Sequence, residues 1–202
     1  MRTTGLRMAD CGLRETPDVD VDAIAFDVFG TLFDLGAAAE EFRTRVLPWT
    51  WQLSAAERFR PLPEIAGPAL AARIRSLEAY PDVREGLNAL AGTPLAILSN
   101  GTRDGVEELL RRAGIADRFQ HVLTAEQVER YKPAPEVYAL APVAFGTAPD
   151  RVLLVSGNEW DVAGAVQAGL RTAWIARGRE PRWVLGIEPD AVAEDVRSLA
   201  RL

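Results

Sequence analysis

Residues 26–34 read FDVFGTLFD. The apolar run AIAF at 23–26 ends on Asp27, and Gly30 and Thr31 follow directly. A carboxylate leaving a buried strand beside a glycine, where backbone N–H groups can approach a ligand, is placed to act as a covalent nucleophile. Aspartate also serves turns in such places, so the rest of the chain has to decide between the two. Two residues beyond Asp27 stands Phe29, whose ring neither gives nor takes a proton. Either the leaving group needs no proton, or the site does not turn over.

Four more short apolar runs follow: LAIL at 95–98, HVL at 121–123, RVLLV at 151–155 and TAWIA at 172–176. None alternates apolar with polar residues, as expected of parallel strands covered on both faces. Helical patterns lie between them. In DGVEELLRRAG at 104–114, Val106, Leu109, Leu110 and Ala113 share one face and Gly114 suits the C-terminus; PEVYALAPVAFG at 135–146 and DVAGAVQAGL at 161–170 behave similarly. The alternation predicts an α/β fold, a Rossmann-like, mostly parallel sheet with helices on both faces. Ligands of such sheets bind beyond the carboxyl ends of the strands, where Asp27, Ser99, Asn100 and residues 156–161 emerge. Residues 36–80 break the rhythm with helical sequence interrupted by Pro48, Pro61, Pro63 and Pro68. They predict a small helical cap inserted after the first strand. The expected organisation is a loose leader over residues 1–20, a core of 21–35 and 81–202, and the cap.

The chain has 202 residues, 48% of them hydrophobic and 26% charged, with a net charge of −6. These values suit one soluble domain with an insertion and give no basic footprint for nucleic acid. The single cysteine, Cys11, excludes an intramolecular disulfide framework, no signal-peptide pattern opens the chain, and no run approaches the ~20 apolar residues of a membrane helix. The expected partner is a small molecule and the expected location cytoplasmic.

FDVFGTLFD, LSNG at 98–101, YKP at 131–133 and SGNEWD at 156–161, in that order at the ends of four strands, resemble the haloacid dehalogenase superfamily. The resemblance implies Asp27 as nucleophile, Thr31 and Ser99 as hydrogen-bonding supports, and Lys132 as the cation beside the nucleophile. SGNEWD is most similar to the L-2-haloacid dehalogenase branch, with Ser156, Asn158, Trp160 and Asp161 at matching positions. FRTRVLPWTW at 42–51 resembles that branch's cap helix, which places halide binding on Arg43 and an apolar wall on Leu47. Tyr138 matches a tyrosine that supports the dehalogenase site, while Asn100 and Trp160 face the halogen. Two departures stand out. Phe29 replaces a tyrosine common in the branch, and the stretch between Arg43 and Ser99 is shorter than a full dehalogenase cap.

Phosphoryl transfer needs a Mg²⁺ cradle, and departure of an alkoxide is helped by an acid. This chain has Phe29 in place of the acid and Gly157 or Asn158 where phosphatases of the superfamily carry a metal-binding carboxylate. Glu159 is the one residue that could rescue a metal site. A halide leaves as a stable anion and needs neither aid. The reading is therefore a hydrolase, an (S)-2-haloacid dehalogenase that works through an aspartyl ester on Asp27 with no cofactor or metal. The alternatives are a Mg²⁺-dependent phosphatase of a small metabolite and a silent binding protein of the same fold. Family members often dimerise, which makes the tryptophan-bearing cap a candidate homodimer surface.

Overall fold

Among the described residues six strands, all parallel, form one sheet: β1 Ala23–Phe26, β2 Leu95–Ser99, β3 His121–Thr124, β4 Val152–Ser156, β5 Arg171–Ile175 and β6 Ala191–Ala193. Their order is β3-β2-β1-β4-β5-β6. The computed structural model describes residues 20–201, so nearly all of the expected leader lies outside the described residues. The five apolar runs became β1 to β5. β6 escaped sequence reading because it is three residues long and leaves Val192 half-exposed, too little for a periodic signal.

Among the described residues eight α-helices accompany the sheet. α1 Ala39–Glu41, α2 Leu47–Ala55, α3 Leu62–Arg75 and α4 Val83–Ala89 lie between β1 and β2, and α5 Arg103–Ala113 between β2 and β3. α6 Pro135–Tyr138 and α7 Leu140–Phe145 precede β4, and α8 Glu159–Gln167 joins β4 to β5. Thr102 caps α5 by accepting the Gly105 N–H at 3.2 Å, and Gly114 ends it in the left-handed conformation, φ 62°. Alternate residues of β1 show why the strands lack polar positions. Ile24 and Phe26 pack with Val106, Leu109 and Val196 on one face, whereas Ala25 packs with Val137, Tyr138 and Ala165 on the other.

Between Gly36 and Arg75 the chain is helical apart from residues 56–61 and the break at Gly67. Its prolines act as expected: Pro48 and Pro63 sit in the first turns of α2 and α3, and Pro68 follows Gly67, whose φ of 75° breaks α3. Backbone bonds from Tyr80 N–H to the Leu32 carbonyl (2.9 Å) and from Asp34 N–H to the Glu78 carbonyl (3.0 Å) tie the base of this insertion to the loop after β1. β1 is central, with β2 on one side and β4 on the other, so the chain leaves it in opposite directions. That reversal opens a crevice at the strand ends. Phe26 pairs with Ile97 and with Val155, which sets Asp27 between the ends of β2 and β4.

Candidate active site

The crevice holds a closed set of buried polar groups. Asp27 is 5% exposed, and Lys132 and Asp161 are fully buried. The Lys132 ammonium donates to Asp27 Oδ1 at 3.2 Å and to Asp161 Oδ2 at 2.9 Å. The other oxygen of Asp27 accepts from the Thr31 hydroxyl at 2.8 Å and the Asn158 amide at 3.0 Å. The second oxygen of Asp161 accepts from the Tyr138 hydroxyl at 2.8 Å. Each donor comes from a different element, so folding of the whole core assembles the cluster.

Backbone contacts tune the loops around it. Thr31 Oγ1 accepts the Gly157 N–H at 2.8 Å, while Asn158 Nδ2 also donates to the Phe29 carbonyl at 3.0 Å, linking the loops after β1 and β4. Gly157 is required there, because a Cβ would stand 2.4 Å from the Gly30 carbonyl oxygen. The Ser156 hydroxyl accepts the Asn158 N–H at 3.2 Å, and Ser99 accepts the Gly101 N–H at 3.0 Å. Asn100 Oδ1 accepts the Lys132 N–H at 2.8 Å, which fixes the amide's orientation. Its Nδ2 is then buried with no partner among the described residues. A buried donor without an acceptor costs free energy, so this amide is ready for a ligand.

Of the residues expected at the site, the structure brings together Asp27, Thr31, Asn100, Lys132, Tyr138, Asn158 and Asp161 directly, with Ser99 and Ser156 in the adjoining turns. Phe29 and Leu47 are buried in the apolar wall, Phe29 against Phe42 at 5.6 Å between ring centroids. Trp160 is half-buried and meets Trp51 of α2 edge to face at 5.7 Å. Arg43 lies apart from these residues. It is exposed and makes no hydrogen bond or ion pair among the described residues, because Phe42 and Val46, four apart, take the inward face of a π-helical turn and leave Arg43 to Arg45 outside. Glu159 opens α8 and has no bond to the cluster.

Two arginines at the end of β5 were missed, since a lone arginine after a strand carries no motif. Arg177 grips Asp82 with both guanidinium nitrogens (2.8 and 3.3 Å), donates to the Thr31 carbonyl at 2.7 Å and lies 3.6 Å over the Tyr80 ring. It therefore ties the insertion's return to the loop that carries Asp27. Arg179 donates to the Gly157 carbonyl at 2.5 Å and to Ile175 and Ala176 carbonyls.

A profile described as haloacid dehalogenase-like hydrolase matches residues 67–175, more than half of the chain. An (S)-2-haloacid dehalogenase of Pseudomonas sp. (strain YL) is 32% identical, over 90% of this chain and 94% of that protein. The chain belongs to the haloacid dehalogenase family. Haloacetate dehalogenase H-2 of Moraxella sp. (strain B) is 30% identical over 84% and 92% of the two chains. The L-2-haloacid dehalogenase of Xanthobacter autotrophicus superposes with a TM-score of 0.81 at 28% identity, covering 90% of this chain and 97% of the other; the same enzyme is known with chloropropionic acid covalently bound.

Some enzymes of this superfamily hold Mg²⁺, but the donor set of this one does not fit it. Mg²⁺ wants an octahedron of oxygen ligands. Here the position between the carboxylates of Asp27 and Asp161 is filled by the Lys132 ammonium, which bonds an oxygen of each. Among the described residues no group of three His, Cys, Asp or Glu converges.

Burial raises the pKa of Asp27 above its ordinary 3.8, with Lys132 opposing and Asp161 reinforcing the rise. Burial works the other way on Lys132, but the charges of Asp161 and Asp27 outweigh it and hold the ammonium above 10.5. Asp27 must be ionised to attack. The acid limb of kcat/KM is thus expected at an apparent pKa above 3.8, with no loss from Lys132 until above pH 10.5. A pH-rate profile checks this, and an alkaline limb near pH 8 would contradict it. Arg177→Met leaves the buried Asp82 carboxylate unpaired, which costs about 3–5 kcal/mol. In a domain of this size that lowers the Tm by roughly 6–20 °C by calorimetry.

Proposed function

We propose that the enzyme hydrolyses the carbon–halogen bond of small 2-haloalkanoic acids through an aspartyl ester on Asp27, without a metal. The observation that carries this reading is the state of Asp27: a buried carboxylate held between Lys132, Thr31 and Asn158, next to a residue, Phe29, that can protonate nothing. Such a site suits a leaving group that departs as a stable anion. The names of the relatives point the same way.

In this mechanism residues 36–80 serve as a cap over the core formed by 21–35 and 81–202. The substrate carboxylate binds the Ser99 hydroxyl and backbone N–H groups near Phe29, while the halogen faces the unpaired amide of Asn100 and the edge of Trp160. An Asp27 oxygen attacks C2, the C–O bond forms as the carbon–halogen bond breaks with inversion, and the halide leaves with the bonding pair. Arg43 reaches the halide only if its turn shifts inward, so Asn100 is the primary donor in this conformation. Water then attacks the ester carbonyl. Asp161, which keeps unused lone pairs beside those bound to Lys132 and Tyr138, takes a proton from that water. Lys132 stabilises the oxyanion, and collapse returns the carboxylate and releases the hydroxy acid, the alkoxide receiving the proton.

Leu47 and Phe29 keep the site dry, which strengthens these interactions. No helix among the described residues is long and apolar enough to cross a membrane. We place the reaction in the cytoplasm, in a homodimer whose candidate contact is the cap surface bearing Trp49, 54% exposed. Pure protein is expected to release chloride from (S)-2-chloropropionate in excess EDTA. Asp27→Asn should lower the rate at least 10³-fold, the scale on which loss of an essential nucleophile acts. Chloride release that requires added Mg²⁺, or full activity in Asp27→Asn, would overturn the reading.

A further inference from the structure

The two donors that hold one oxygen of Asp27, Thr31 and Asn158, stand on different loops, after β1 and after β4. Each loop is in turn held through a backbone carbonyl by a guanidinium from one short turn after β5. Arg177 donates to the carbonyl of Thr31 itself at 2.7 Å. Arg179 donates to the carbonyl of Gly157, the residue before Asn158, at 2.5 Å. The two held residues also bond each other, Gly157 N–H to Thr31 Oγ1 at 2.8 Å. A closed ring of contacts thus runs from Asp27 through both loops to residues 177–179.

This turn is firmly placed. The Ala176 and Arg177 N–H groups donate to the Ala193 and Glu194 carbonyls at 2.8 and 2.9 Å. Asp82, which Arg177 grips with both terminal nitrogens, also accepts the Val196 N–H at 2.8 Å. Arg177 has a φ of 49°, a left-handed conformation uncommon for a residue with a side chain. Such strain persists only where the surroundings enforce it, and it gathers at functional sites. Arg179 has no carboxylate partner among the described residues, and its bonds go to the carbonyls of Gly157, Ile175 and Ala176. A cation used on three carbonyls supplies fixed geometry rather than an ion pair.

We propose that Arg177 and Arg179 are positioning residues for the nucleophile, fixing through Thr31 and Asn158 the plane in which Asp27 presents its oxygens to C2. The inference rests on the dehalogenation proposed above and adds two residues to its machinery. Displacement at carbon requires an aligned oxygen, and a misplacement of about 1 Å caused from a distance can cost roughly 10²-fold in rate. The Thr31 bond also favours the ionised form of Asp27, so loosening it raises the pKa and moves the acid limb to higher pH. The titratable groups that face Asp27, namely Lys132, Asp161 and Tyr138, stay the same in every variant below.

The test is kcat, KM and the acid limb for (S)-2-chloropropionate in wild type, Arg177→Met, Arg179→Met, Thr31→Val and the double variant Thr31→Val/Arg177→Met, each at a temperature where circular dichroism shows it folded. Both arginine variants are expected to lose roughly 10- to 100-fold in kcat. KM should stay within about threefold, since neither arginine touches substrate. The acid limb should move to higher pH, and Arg177→Met should cost far less when Thr31 is already Val, because it acts through that residue. Arg151→Met, which breaks the pairs with Asp20 and Asp22 at the other end of β1, should keep the wild-type kcat and acid limb. Wild-type kcat in folded Arg179→Met, an undiminished Arg177 effect in the Thr31→Val background, or an equal loss in Arg151→Met overturns the proposal. Arg179→Met decides alone if Arg177→Met does not fold. If wild type releases no halide, the dehalogenation reading fails by itself, and the Asp27 titration read by ¹³C NMR of the carboxyl decides the positioning role. A rise in pKa in the arginine variants supports it, and an unchanged titration refutes it.

Discussion

One ammonium group, that of Lys132, lies between two carboxylates in the centre of this protein, and the rest of the site is arranged around the consequences. Burying a charge costs several kcal/mol even after relaxation, and a cation flanked by two anions still leaves one negative charge in excess. That excess is tolerable only because every carboxylate oxygen has a donor: Thr31 and Asn158 for Asp27, Tyr138 for Asp161. The donors sit on the loop after β1, the loop after β4 and the helix following the YKP segment, so the sheet order that places β1 between β2 and β4 is also what makes the charges bearable. Chemistry draws on the same imbalance. A desolvated carboxylate whose ordinary acidity is weakened by burial is a stronger nucleophile than one in water, and the fixed ammonium waits for the oxyanion that forms later.

The helical insertion after β1 is held to this centre by specific contacts. Tyr131, next to Lys132, donates its hydroxyl to the Arg60 carbonyl at 2.5 Å, receives the Phe59 ring in a stack at 5.1 Å and bonds Ser54 through its backbone. Trp51 meets Trp160, and Arg177 joins Asp82 and Tyr80 at the insertion's return to Thr31 at its departure. These contacts bring the insertion close to the strand ends, where Phe29, Phe42 and Leu47 are buried together.

Much of this was legible in the sequence because the residues involved are local. Five strands announced themselves as apolar runs, Gly114 marked a helix end, and Asp27, Lys132 and Asp161 each lay in a short motif at a strand or loop end. What stayed hidden depends on distance along the chain. Arg177 acquires its role only from Asp82, 95 residues earlier, and from a carbonyl 146 residues away. The exposure of Arg43 was hidden for the opposite reason: its motif is local, but which face of the turn points inward is decided by Phe42 and Val46 competing for the core. β6 has three residues and no pattern. The free amide of Asn100 is visible only once its oxygen is seen to be taken by Lys132.

The most direct measurement of the central claim is where solvent oxygen goes in a single turnover. Enzyme in excess over (S)-2-chloropropionate is allowed to react in H₂¹⁸O, and the peptide containing Asp27 and the product lactate are weighed by mass spectrometry. Attack of Asp27 on C2 followed by water attack on the ester carbonyl predicts one heavy oxygen on Asp27 and ordinary oxygen in the hydroxyl of the lactate. Heavy oxygen in the lactate hydroxyl with an unlabelled Asp27 would mean that water attacks carbon directly, and would contradict the account.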